Sequence, residues 1–254
     1  MITQAYGLKK ALFGPIFGAV LLCISHAQAN QLPEVVLNDV NEAPFTNRAG
    51  SGFLDVVAGE AFRRAGVKLR LVKLPAERAL LNANAGIEDG DLTRIAGLEA
   101  QYPNLIRVPE KLADLAFSAF SRDPAMSTDL ESLRSRPVAH IKGWKIYEQM
   151  MDGAPAVVTA EDSAQLFRLL ELGRVEVALY MHWMGLARVR EQGLQGVVVL
   201  EPPIATREMF IYLHKRHAEL VPKVAAALRD LKKEGFYEHQ FREKVRIATE
   251  PLRK

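Results

Sequence analysis

The sequence predicts an α/β protein built as two lobes, and three observations lead there. Strand-like and helix-like segments alternate in two successive runs, residues 32–114 and 118–201, an order that builds parallel sheets with helices packed on them. The last quarter adds a strand and two helices, which need an existing sheet to join; the simplest solution returns them to the first unit. Of 254 residues, 49% are hydrophobic and 25% charged, as in a packed globular protein.

The elements follow in order. Residues 34–38 form a short apolar strand, and 41–52, rich in Asn, Pro and Gly, form a loop. From Phe53 the period changes: Leu54, Val57, Ala61 and Ala65 share one helical face, and Gly66 stands where a helix is capped. Residues 67–71 alternate apolar and polar as a half-buried strand does. Pro75 opens a second helix, 76–85, stopped by Gly86. In the second run, strands are expected at 137–141, 156–160, 175–180 and 197–200. Helices are expected at 144–151 and 163–172 and on to Gln192. The tail reads as a strand at 209–213, a long helix with Val221, Val224, Leu228 and Leu231 on one face, and a last helix over 236–246.

Composition excludes several classes. The apolar content is too high, and the net charge of +3 too small, for a disordered chain. Charges of both signs are scattered, without the basic stripe of a nucleic-acid binder. The only cysteine, Cys23, rules out an internal disulfide, thiolate zinc fingers and iron–sulfur clusters. His214 and His217 sit beside Lys215 and Arg216, whose charges oppose a metal ion, so neither a metal nor a cofactor is expected.

The N-terminus reads as an address. Lys9 and Lys10 precede an apolar run of about 15 residues and then Ala27-Gln-Ala29, the pattern of a cleaved signal peptide. The run is short of the ~20 residues needed to span a bilayer. Cleavage after Ala29 is expected, leaving a soluble, monomeric chain in the periplasm of a Gram-negative cell. That chain has no cysteine and must rely on its core.

Several segments resemble the family 3 solute-binding proteins, the periplasmic receptors for polar amino acids and related solutes. Asn41-Glu-Ala-Pro-Phe45 is similar to the family's x-x-x-Pro-Pro-Phe loop, with Ala43 in place of one proline. The stretch from Gly52 to Gly66 is similar to its Gly-Phe-x-x-Asp…Gly helix. Ala85–Gly90 followed by Thr93-Arg94 resembles a shortened x-Gly-x-x-Asp…Thr-x-x-Arg. His140-Ile-Lys-Gly143, the pair Glu161-Asp-Ser163 and Leu172-Gly-Arg-Val-Glu176, and Gly235-Phe-Tyr237 resemble later motifs in the same order. The resemblance implies the two-lobed periplasmic binding protein fold: each lobe a mostly parallel sheet flanked by helices, joined by two crossover hinge segments near 115–120 and 202–207. It divides the chain into a signal peptide, 1–29, a discontinuous first lobe, 30–116 plus 205–254, and a second lobe, 117–204.

A carboxylate-bearing solute needs a fixed cation, and arginine's planar fork supplies one. Arg94 stands where the resemblance places a carboxylate-binding arginine, although an ion pair with Asp91 or Glu99 is the other reading. Arg78, one turn into the second helix, is either a second ligand group or a surface salt bridge. Lys142, Gly143 and Trp144 follow a strand and open a helix, where free N–H groups attract anions and Gly143 permits close approach. Trp144 lies either over the ligand or in the core. Phe45 is either the opposite wall or a staple under its loop. Asp162 resembles the acid that takes an α-ammonium, but is also placed as the N-cap of the helix starting at Ser163. Tyr180 ends a strand on the cleft side or packs in the core.

The expected function is a non-enzymatic receptor that closes its lobes over a small polar solute, an amino acid or another carboxylate, and presents the closed form to a membrane permease. The alternatives are a sensing partner of a membrane signalling protein, or a dehydratase-like enzyme on the same fold with an acid or base among Glu42, Glu77, Asp91, Lys142 and His182.

Overall fold

The computed structural model describes residues 1–2, 32–246 and 249. The expected signal peptide and its cleavage site lie outside the described residues. Among those described, no helix is long and apolar enough to cross a membrane.

The first run folds as β1 (Glu34–Asp39), α1 (Phe53–Arg64), β2 (Lys68–Lys73), α2 (Ala76–Ala85) and β3 (Gly90–Arg94). β1 pairs in parallel with both β2 and β3. α1 forms because Phe53, Leu54, Val57, Ala58, Ala61 and Phe62 recur at helical spacing and are all buried. Asp55 satisfies its N-terminus by accepting from the Gly52 and Asn47 N–H groups, each at 2.9 Å. Arg63 and Arg64 occupy the last turn, where the helix dipole favours cations.

A short strand, a long one and a short helix then lead into the second run: β4 (Leu105–Arg107), β5 (Ala113–Ser121) and α3 (Leu130–Arg134). The run itself is β6 (Val138–Ile141), α4 (Lys145–Met150), β7 (Val157–Ala160), α5 (Ser163–Glu171), β8 (Val177–Met181), α6 (His182–Glu191) and β9 (Val198–Val199). β6 is parallel to both β7 and β8. The tail is β10 (Ala205–His214), α7 (Leu220–Lys233) and α8 (Phe236–Phe241). A π-helical turn over Arg242–Arg246 replaces the end of the expected final helix.

The strand order is β2-β1-β3-β10-β5-β8-β6-β7, with β4 on β10 and β9 on β5. Two parallel trios are thus joined by a central antiparallel pair, which gives the two-lobed α/β fold. The segments expected as crossover hinges, 115–120 and 202–207, lie largely within β5 and β10. β5 pairs with β10 through Ala113–Phe117 and with β8 through Phe117–Ser121. β10 pairs with β5 over Ala205–Met209 and with β3 beyond Phe210. A strand pairing different neighbours along its length bridges both trios while keeping its backbone groups bonded.

β3 was not expected as a strand, since Gly-Asp-Leu-Thr-Arg lacks a run of β-formers. It exists because it fits between β1 and β10. A Cβ on Gly90 would stand 2.0 Å from the Tyr212 carbonyl oxygen, so only glycine permits that approach.

Candidate functional site

The ends of the parallel strands meet the central pair around a cavity of about 50 Å³. Its polar lining is Asn41, just beyond β1, Thr93 and Arg94 at the end of β3, and Lys145 at the start of α4. Trp144 and Met181, at the ends of the β6 turn and β8, face them, and Phe117 and Met209 of the crossing strands close the floor. Ligands of open α/β sheets bind beyond the carboxyl ends of the strands, and both trios point theirs here.

Arg94 is 7% exposed and held from one side only. Its Nη2 donates to Asp91 Oδ2 at 2.8 Å and to the Ala76 carbonyl at 3.0 Å. Its Nε is buried without a partner among the described residues, as is Asn41 Oδ1. Burial pushes the Asp91 carboxyl up, against the downward pull of Arg94. The Asn41 amide is oriented by donating to Asp39 Oδ1 at 2.6 Å and Thr93 Oγ1 at 2.7 Å. Lys73 binds Asp39, the Asn41 carbonyl and Thr46 Oγ1, which ties the loop after β1 to the sheet.

Trp144 is clamped. It stacks on Tyr180, with centroids 4.9 Å apart, and on Tyr147 at 6.0 Å. The Tyr147 hydroxyl donates to the Tyr180 carbonyl at 2.7 Å. Burial raises the pKa of both tyrosines well above the usual phenol value, so both stay neutral. Lys145 pairs with Glu148 Oε2 at 2.8 Å, behind the cavity.

Of the residues singled out in the sequence, Arg94 and Trp144 come together on this cavity. Arg78 and Lys142 line a separate cleft of about 270 Å³ with Glu77 and Glu161. The remaining four do not line this cavity. Phe45 is 1% exposed, tilts against Phe53 at 6.1 Å and belongs to the core beneath its loop. Asp162 caps α5 by accepting from the Gln165 N–H at 2.8 Å. Gly143, at φ 80°, packs on the start of α2, where a Cβ would stand 2.6 Å from the Glu77 nitrogen. Its N–H donates to Glu148 Oε1 at 2.7 Å and is not free for an anion. Tyr180 is buried and does not itself line the cavity; it backs Trp144, which does, and its hydroxyl donates to Glu42 at 3.3 Å. Side chains alternate along a strand, so the cavity takes the next residue, Met181. The carboxyl-end rule could also have found Asn41, while Lys145, Phe117 and Met209 carried no sequence signal.

Glu42 bridges the halves of the sheet. From the loop after β1 its Oε2 accepts from Arg188 at 2.5 Å, Ser163 at 2.7 Å and Tyr180 at 3.3 Å. His182 and Ser118 do not form a nucleophile pair: Ser118 is fully buried, and both it and Glu201 approach the same ring nitrogen, Nδ1, at 3.2 and 3.8 Å. Among the described residues, no group of three or more metal-ligating side chains converges.

No protein-family model matches the chain. An uncharacterized protein of Shewanella oneidensis is 24% identical over 203 residues, 77% of this chain and 76% of that one. Solved structures that share the architecture include the following. A histidine kinase sensor domain with similarity to periplasmic binding proteins superposes with a TM-score of 0.74 at 20% identity, over 85% of this chain and 97% of that one. The amino acid ABC transporter substrate-binding protein AbpA from Streptococcus pneumoniae, bound to L-arginine, gives 0.70 at 14% identity, over 86% and 97%. A mutant of ArgBP from T. maritima gives 0.69 at 19%, over 83% and 94%. Its strand order, central crossing pair and structural neighbours together give this chain the fold of the two-lobed periplasmic solute-binding proteins.

Proposed function

We propose that this chain is a periplasmic receptor that captures a small carboxylate-bearing solute between its lobes and presents the closed form to a membrane partner. One observation carries the reading: a buried arginine with an unpartnered Nε on a cavity where the strand ends of both sheet halves converge. A buried cation donor left without a partner is costly and is satisfied by an arriving anion. The surroundings hold Arg94 through Asp91 and Ala76 and leave the fork's remaining edge for the solute. No group in the cavity is placed as nucleophile and base, so the reading is binding rather than turnover.

The test is thermal unfolding of protein produced from the full-length coding sequence, against amino acids, organic acids, polyamines and sugars. A solute bound only by the native state raises the midpoint by mass action. A carboxylate should raise it in the parent and raise it far less in Arg94→Lys, which keeps the Asp91 pair but loses the planar fork. No shift with any solute, or a shift that Arg94→Lys leaves intact, contradicts the reading.

The partner is a permease or a sensor. The similarity to a histidine kinase sensor domain favours testing the second alongside the first. In cells lacking this protein, lost uptake of the solute marks a transport role. Normal uptake with a lost transcriptional response marks sensing.

A further inference from the structure

We infer that the solute is a short, apolar carboxylate without an α-ammonium, such as a C3–C5 fatty or 2-hydroxy acid, rather than an amino acid. The inference rests on the receptor reading above and adds to it the chemical class of the ligand.

The charge of the lining carries it. The charged side chains on the cavity are Arg94 and Lys145, both cations. Their counter-ions are committed elsewhere. Asp91 is fully buried and bonded to Arg94, and Glu148 is bonded to Lys145 and to the Gly143 N–H; neither lines the cavity. Asp39 is bonded to Lys73 and to Asn41. An amino acid entering carboxylate-first onto Arg94 would bring its ammonium near two like charges, with the neutral acceptors Asn41 and Thr93 but, among the described residues, no carboxylate on the cavity to balance it. An unpaired buried ammonium is among the most expensive groups a binding site can hold.

What the cavity does offer fits a different molecule. Met181, Met209, Phe117 and Trp144 present an apolar wall to a hydrocarbon body. Asn41 Oδ1, a neutral acceptor without a partner, suits a hydroxyl or a water molecule. The free volume of about 50 Å³, roughly four waters at ~10–15 Å³ each, keeps the ligand short and favours the C3 end of that range.

The test is calorimetric titration at pH 7 with matched sets: propanoate, lactate and alanine; 3-methylbutanoate, 2-hydroxy-3-methylbutanoate and valine. Each set holds the carboxylate and carbon skeleton constant and changes only the substituent at C2. The acids or 2-hydroxy acids are expected to bind at least about a hundredfold more tightly than their amino counterparts, the scale of discrimination when a buried polar group is left unpaired. Arg94→Lys should weaken the acids at least tenfold, with the far-ultraviolet circular dichroism of the parent confirming that the variant folds. Amino members binding as well as the acids would overturn the inference and leave the receptor reading standing. The same follows if neither member binds while a different carboxylate shifts the thermal midpoint. No binding by any solute in either assay would overturn both.

Discussion

Asp91 and Arg94 illustrate how a residue's neighbours set its work. Asp91 lies wholly out of water, and its carboxylate is tolerated because Arg94 meets it at 2.8 Å. Removing one partner of such a buried pair leaves the other uncompensated, so Arg94→Ala should lose about 3–5 kcal/mol of stability in denaturant unfolding, whereas Arg94→Lys should lose much less. His182 carries a pH dependence with a definite sign. Burial lowers its pKa from 6.5, with Glu201 opposing. The unfolded chain therefore takes up a proton that the native state resists, and stability present above pH ~6.5 falls as the pH drops below it. Urea midpoints at pH 5.5 and 7.5 should differ less in His182→Gln than in the parent; an equal or larger difference would remove His182 as the cause. The residue scale is also where the sequence was hardest to read. Arg94 was recognisable from the family resemblance and Trp144 from its place after a strand, but Tyr180 and Met181 are neighbours on β8 that only the structure tells apart. One position of alternation separates a buried support from a cavity wall.

At the scale of elements, hydrophobic periodicity and helix stop signals made most of the chain legible. α1, α2, α5 and α7 and the strands β1, β2 and β6–β8 follow from apolar spacing, Pro75 and the terminal glycines. Elements held by tertiary pairing were not legible. β3 contains Gly90 and Asp91 and lacks a strand-like apolar pattern, and it becomes a strand because β1 and β10 bond it on both sides. Gly90→Ala should lose about 3 kcal/mol, the upper end for overpacking, because the new methyl meets the rigid Tyr212 carbonyl rather than a side chain that can move. A near-parental thermal midpoint would show that β10 can give way. Asp89, one residue before β3, locks the same region. Burial works to raise its pKa, but the Val36 N–H, Arg216 and His217 outweigh it and hold the carboxyl low.

At the scale of the whole molecule, the two sheet halves share β5 and β10, and Glu42 adds a polar clasp between the loop after β1 and the elements carrying Ser163, Tyr180 and Arg188. Gly143 against the start of α2 is a second contact between the halves, so the conformation described here is a closed one. If Glu42 favours closure before the solute arrives, Glu42→Ala should shift the ligand-free protein toward an open form. Small-angle scattering would then give a larger radius of gyration than the parent without solute and a parental one with it. Solute affinity should fall by less than tenfold, since the variant loses population of the competent state rather than a ligand contact. An unchanged scattering curve without solute would show that the clasp does not set the balance.

The proposed role of Arg94, receiving a carboxylate in the cavity between the sheet halves, is tested most directly by a crystal structure of the protein with the tightest-binding carboxylate. A carboxylate oxygen is expected about 2.7–2.9 Å from Arg94 Nε, the usual length for such charge-assisted bonds, with the hydrocarbon part against Trp144 and Met181. A solute seated instead in the cleft of Arg78 and Lys142, with Arg94 Nε still unpartnered, would contradict it.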